Sequence, residues 1–209
     1  MRTTQRIFMA VAMMAAALAG WGAESATQLL QRCADKLLSA PSVSARFTIR
    51  GAEGDVAGTM VMARERFRMN SPQLNIWFDG RTQWSALAQT REVNITEPTA
   101  EELLTSNPFA IITDYSRSYN CRLLKNEAGT AANLRQVELT PKKSGADIRR
   151  AVITIDASTL WPVKAVVTMA SGATVNAAVS NCATGKKLSS ADFTFKPSAL
   201  PGYEVVDLR

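Results

Sequence analysis

The 209 residues include no histidine, which excludes Ser-His-Asp and Cys-His catalysis and His-ligated zinc and removes the side chain that most often serves as a base near neutral pH. Lys and Arg outnumber Asp and Glu by 24 to 18, but they are scattered, with pairs only at Lys142-Lys143, Arg149-Arg150 and Lys186-Lys187. The basic stripe interleaved with aromatics that a nucleic-acid binder needs is absent from the sequence, and 46% apolar residues at this length predict one domain with a full core.

Residues 1–19 have the layout of a secretory signal peptide. Arg2 and Arg6 make a positive start, and 7–19 is an apolar run short of the ~20 residues a membrane span needs. Ala17-Leu18-Ala19 offers small-x-small cleavage after Ala19, with a second choice after Gly22. No Cys stands at either junction, so the chain is not expected to become a lipoprotein itself. Residues 23–209 are then read as a single exported domain.

Ala26, Leu29, Leu30, Cys33, Ala34, Leu37 and Leu38 recur at helical spacing and predict an amphipathic helix over 24–39, stopped near Pro41. In 43–50, Ala45, Phe47 and Ile49 alternate with Ser44, Arg46 and Thr48, the pattern of a half-buried strand. A second strand is expected over 56–64, with Met60, Met62 and Arg64 on one face and Val61 and Ala63 on the other. Phe67 and Met69 extend the pattern until Ser71-Pro72 breaks it. Strands over 74–79, 83–88 and 92–96 follow, the first two joined around Asp79-Gly80. Thr99 and Glu102 have the spacing of a capping box and start a short helix through Leu104. Asn107-Pro108 ends that helix, and Phe109 opens the apolar run 109–112. From Asn120 onward strands resume, at 134–140, 148–156, 162–169, 174–182 and 192–195, before the tail 203–209. A strand about every ten residues, separated by turn chemistry, predicts a meandering antiparallel sheet that curls toward a barrel.

No constellation of catalytic side chains accompanies these elements. Asp79 and Asp156 sit in turns, where Asp serves local hydrogen bonds. Glu101 and Glu102 sit in a first helical turn, where acids favour the positive dipole end, and Asp55 borders a turn. No metal site and no cofactor is expected. Cys33 is expected to pack as a small hydrophobe, while the pairing of Cys121 with Cys182 is left open. Met60 and Met62, near Phe47, Phe67 and Met69, have two readings. They line a cavity for flexible chains, since methionine adapts to variable partners, or they are ordinary core. Arg64 also has two readings: it snorkels at a rim, or it ties a movable cover to the sheet through backbone carbonyls, which would satisfy a charge aimed at an apolar interior.

Six pieces, in order and spacing, carry a resemblance: LLQRCADKLLSAPSVSARF, GTMVMAR, FDGRTQW, SNPFAII, ELTPKK and ADFTFKP. Together they cover nearly the whole chain after the leader, and the chain resembles the periplasmic outer-membrane lipoprotein carriers, the LolA-like chaperones, as a divergent branch. The resemblance implies a mainly β fold with short helices, an incomplete antiparallel barrel closed by a helical lid over an apolar cavity. It implies a soluble protein in the periplasm; separately, a monomer is expected. Such a carrier takes triacylated lipoproteins from an ATP-driven inner-membrane extractor, shields their acyl chains and passes them to an outer-membrane acceptor where one exists. By its distance from Gly58, Arg64 matches the family arginine that hydrogen-bonds the lid, although the Pro that usually follows is Glu65 here. Phe109 matches the aromatic of the family's Pro-Phe lid segment.

The expected acyl-chain cavity is therefore Phe47, Ile49, Met60, Met62, Phe67, Met69, Phe109 and Ile112, with Arg64 as lid latch. A lipid-binding sensor or regulatory module on the same fold is the alternative; it would bind lipid and report to a membrane protein. A hydrolase built on an unrecognised Ser/Lys or carboxylate pair is a third reading.

Overall fold

In the computed structural model, which describes residues 24–51, 54–99, 102–103, 107 and 109–209, helix α1 (Ala26–Ser39) begins at a reciprocal cap. The Gln28 N–H donates to the Ser25 hydroxyl at 3.2 Å and the Ser25 N–H donates to Gln28 Oε1 at 2.9 Å, which satisfies two otherwise free donors of the first turn. Leu29, Leu30, Cys33, Ala34 and Leu37 form its buried stripe. The expected signal peptide, and the stretch of the second expected helix around Leu104 and Pro108, lie outside the described residues.

The chain then lays down β1 (Ser42–Gly51), β2 (Gly54–Ala63), β3 (Arg66–Asn70), β4 (Leu74–Phe78), β5 (Gln83–Leu87) and β6 (Glu92–Thr96) as an antiparallel meander. Two short helices, α2 (Ala110–Thr113) and α3 (Tyr115–Ser118), precede β7 (Tyr119–Leu123), β8 (Leu134–Pro141), β9 (Ile148–Asp156), β10 (Trp161–Met169) and β11 (Thr174–Gly185). β11 returns to pair with β1, and with β12 (Glu204–Asp207) the strands form one sheet in the order β12-β6-β5-β4-β3-β2-β1-β11-β10-β9-β8-β7. The sheet is open: β7 and β12 are its two ends.

The buried face of this sheet changes partway across. From β1 to β4 the residues that pack under α1 are Ala45, Phe47, Met60, Met62, Phe67, Met69, Ile76 and Phe78, joined from the far side by Val137, Leu139, Ile153 and Ile155. Strand alternation and register put Gln83, Ser85, Asn94 and Thr96 of β5 and β6 on that same concave face, and all four are half-buried polar residues. There the fully buried apolar residues occupy the opposite face. Ala86, Val93 and Phe195 are buried among Trp77, Trp84, Leu200 and Tyr203, with the Trp77 and Phe195 rings 5.3 Å apart. The C-terminal segment makes this second cover. It crosses the outer face after β11 and ends as β12, which pairs in parallel with β6.

Three expectations need correction. Residues 192–195 are not a strand, because Ser190–Phe193 is a 3-10 turn. The Asp192 carboxylate accepts from both the Ser189 N–H and the Ser189 hydroxyl at 2.7 Å, a local cap that competes with extended backbone. The tail contains an edge strand, which a residue pattern of one isolated strand cannot assign to a partner. Finally, Arg64 does not share the Met60/Met62 face. β2 ends at Ala63, which pairs with Arg66, so Arg64 and Glu65 form the two-residue turn and Arg64 sits there exposed, at φ 57°. The three cysteines are free thiols; Cys121 on β7 and Cys182 on β11 have β8, β9 and β10 between them.

Candidate functional site

Two cross-strand rows build the concave wall. Val43, Met62, Phe67 and Phe78 stand opposite one another across β1 to β4, and Ala45, Met60, Met69 and Ile76 form the next row. Directly opposed side chains lie about 4.5–5.5 Å apart at Cβ, so each row is a continuous apolar strip. Phe67 and Phe78 stack at 5.3 Å between centroids. A third row sets Phe47 against Gly58. A Cβ on Gly58 would come to 2.9 Å from Phe47 Cζ and 2.1 Å from the Asn70 carbonyl oxygen, so only glycine lets the ring lie across β2.

Residues of α1, α2 and α3 share one buried core with this wall. Phe109, Ile111, Ile112 and Tyr115 are buried in the same core as the α1 stripe and the wall. Asn107 turns the chain into α2: its side-chain oxygen accepts from the Phe109 N–H at 3.0 Å. The Tyr115 hydroxyl joins α3 to α1 through the Thr27 carbonyl and Gln31 Oε1, both at 3.2 Å. Burial raises the Tyr115 pKa above the ordinary tyrosine value, with smaller contributions from Cys121 and Asp35. Burial also pushes the Cys33 thiol up to about 12, so at neutral pH it is a protonated, apolar core group, as its place on the helix stripe suggested. The expected Thr99 cap forms: the Thr99 N–H donates to Glu102 Oε2 at 2.7 Å and the Glu102 N–H to the Thr99 hydroxyl at 3.3 Å. The Thr99 N–H, and after it the Thr99 hydroxyl donating to the same oxygen at 2.9 Å, hold the Glu102 carboxyl below its ordinary range.

A cleft of about 240 Å³ opens between the helices and the sheet. Phe67, Phe78, Leu103 and Ala110 supply its apolar walls; Arg64, Glu65, Asp114 and Arg117 supply a charged rim. Of the residues singled out in the sequence, Phe47, Met60, Met62, Phe67, Met69, Phe109 and Ile112 come together in one core, and partly buried Ile49 packs against it. Arg64 lines the cleft, but among the described residues no hydrogen bond or ion pair joins it to the helices. The sequence reading missed Ile76 and Phe78, which the alternation within 74–79 could have supplied. It also missed Tyr115, whose partners lie more than eighty residues away. Among the described residues no group of three or more His, Cys, Asp or Glu is placed to hold a metal ion, and no helix is long and apolar enough to cross a membrane.

The architecture is an open sheet whose apolar face shares one buried core with the helices. The family model described as outer membrane lipoprotein carrier protein LolA matches residues 17–173, and the chain belongs to that family. Solved structures agree in fold. An uncharacterised conserved protein of Thermus thermophilus superposes at a TM-score of 0.56 with 14% identity, over 87% of this chain and 98% of that one. A DUF1329 family protein of Desulfovibrio piger does so at 0.50 with 14% identity, over 82% and 96%. A LolA superfamily protein of Nitrosomonas europaea is similar at 0.48 with 15% identity, over 83% and 99%. No curated protein sequence matches the chain significantly.

Proposed function

We propose that this protein is a periplasmic carrier that takes the acyl chains of triacylated lipoproteins into the space between the concave wall and the helices and moves them from the inner to the outer membrane. The observation that carries the reading is the covered apolar wall of a family member, with a cleft leading into it at a charged rim. Residues 1–19 act as a removable export signal and the mature chain works as a monomer. Phe47, Ile49, Met60, Met62, Phe67, Met69, Phe109 and Ile112 face the acyl chains. Three of these are methionines, which repack around variable chains.

The energetics suit a carrier without catalysis. A buried methylene contributes ~0.8 kcal/mol, so one sixteen-carbon chain represents on the order of 12 kcal/mol of transfer free energy, and such a chain needs shielding to cross water. The cleft, at about 240 Å³, holds on the order of eight waters at ~30 Å³ each. Three acyl chains need far more, so loading requires the helices between Phe109 and Ser118 to act as a lid and move aside. Arg64 fits a latch in this scheme. A left-handed conformation costs a non-glycine residue roughly 1–2 kcal/mol, and such outliers collect at functional sites. Cargo enters from an ATP-driven inner-membrane extractor and leaves to a tighter-binding outer-membrane acceptor, so delivery runs downhill.

The test is transfer. Mature protein is mixed with membranes that hold the extractor, ATP and a radiolabelled triacylated lipoprotein, and soluble label is measured. ATP-dependent appearance of a one-to-one soluble complex is expected. Label that stays in the membrane refutes the carrier.

A further inference from the structure

A second cleft, of about 480 Å³, opens on the concave side beside the first, lined by Gln83, Thr96, Glu97, Pro98, Glu102, Leu208 and Arg209. Its position follows from register. Gln83 stands directly opposite Phe78, and Phe78 walls the apolar cleft, so the two clefts are one strand apart at the same end of the sheet. The second has the more polar floor. Where the buried apolar residues switch to the outside, the concave surface becomes Gln83, Ser85, Asn94 and Thr96, with Leu87 and Glu92 at its far end. Within it, Gln83 Nε2 donates to the Ser85 hydroxyl at 3.1 Å, while Gln83 Oε1 is buried and accepts no hydrogen bond. A buried acceptor without a donor is costly, and this one lies at the border between an apolar and a polar cleft.

We infer that this polar cleft is a subsite for the peptide that follows the lipidated end of the cargo, with Gln83 Oε1 accepting a backbone amide N–H from it. The inference rests on the carrier reading, because it places the peptide next to acyl chains held against Phe67 and Phe78. The occupant must be amphiphilic, apolar on the Phe78 side and rich in amide donors on the Gln83 side. A lipid-bearing peptide has that order of groups; a free fatty acid lacks the amides. On the rim, Arg81 Nε lies 3.0 Å from Glu97 Oε1 and Arg209 is bidentate on Asp207, while the Glu102 carboxylate accepts from the Thr99 N–H and hydroxyl. Both arginines are already paired, so hydrogen bonds to the peptide backbone carry recognition, and extended peptides of varied polar sequence are accepted. That suits a carrier of many cargoes.

Two probes separate the subsites: a fluorescent sixteen-carbon fatty acid, which needs only the apolar cleft, and a triacylated lipopeptide with a short Ser/Asn-rich peptide. Dissociation constants for both are measured on the mature protein, on Gln83→Met and on Gln83→Glu. Gln83→Met keeps the shape and removes the unpartnered acceptor, so it is expected to fold with equal or higher stability. It should weaken the lipopeptide about tenfold and leave the fatty acid within twofold. Gln83→Glu keeps an acceptor and should retain most of the lipopeptide affinity. Equal effects on the two probes, or none on the lipopeptide, overturn the subsite. If the unsubstituted protein binds the fatty acid but not the lipopeptide, the subsite falls and the apolar cleft stands. If it binds neither, the carrier reading falls and takes the subsite with it.

Discussion

Tyr115→Phe isolates the bond between α3 and α1. The ring stays, so the buried apolar surface is unchanged and no cavity forms. Only the hydroxyl goes, with its bonds to the Thr27 carbonyl and Gln31 Oε1. The phenol has one hydrogen to share between two acceptors, both at 3.2 Å, so the pair counts as one neutral hydrogen bond of roughly 0.5–1.5 kcal/mol net. The acceptors left behind are not stranded: Thr27 and Gln31 are exposed, and Gln31 also donates to Asp35 at 2.8 Å. The total is about 1 kcal/mol, which raises the open population of the helical cover roughly fivefold. Amide hydrogen exchange reads this directly. Segment 109–118 is expected to exchange about five times faster while β1 to β3 and β8 to β10 keep their rates, and the fluorescent fatty acid should dissociate faster by a similar factor. Acceleration below twofold in 109–118 refutes the argument, as does equal acceleration in every strand, which would mean that the hydroxyl stabilises the whole fold and not the cover.

Gly58→Ala is expected to destabilise by about 2 kcal/mol. Overpacking costs roughly 1–3 kcal/mol, and the clash with the Asn70 carbonyl at 2.1 Å puts it at the top of that range, less about 0.4–1 kcal/mol gained from a stiffer unfolded chain. A urea midpoint unchanged within 0.2 M, for an m-value on the order of 2 kcal/mol/M, contradicts it. Arg64→Gly relieves the left-handed strain at φ 57° and should hold or raise stability by up to about 1 kcal/mol while lipoprotein delivery falls; normal delivery removes Arg64 from the mechanism. Asp156, chiefly through the Ser158 hydroxyl, and Asp207, chiefly through Arg209, are held down at about 2 from an ordinary 3.8. Folded values below the unfolded ones mean that their contribution is complete above about pH 4 and lost as pH falls through about 2. Thermal melts should accordingly be flat from about pH 5 to 7 and drop below about 4, and a drop beginning near 6 assigns acid sensitivity to other groups.

The sheet was readable from the sequence because its strands carry their own evidence. Residues 74–79, 83–88 and 92–96 alternate between turn signals and match β4, β5 and β6 within a residue, and Phe47, Met60, Met62, Phe67 and Met69 fall on one face by period two alone. What escaped depends on partners far along the chain. β12 looks like a tail until β6 is there to pair with it, and Tyr115 is an ordinary tyrosine until α1 lies beneath its hydroxyl. Trp77 and Trp84 marked aromatic strands, but their outward direction has meaning only once Phe195 covers them. Arg64 was misplaced by a single residue. Extending β2 from Ala63 to Arg64 sends a turn cation into the interior, the penalty of a period-two argument carried one step too far.

Because β7 and β12 never meet, nothing fixes the girth of this sheet. In a closed barrel, strand number and stagger dictate the diameter, and enlarging it means breaking backbone ladders. Here the two margins can draw apart while every ladder between them stays paired. Capacity becomes an elastic property of curvature and side-chain packing, set by whatever the sheet is wrapped around.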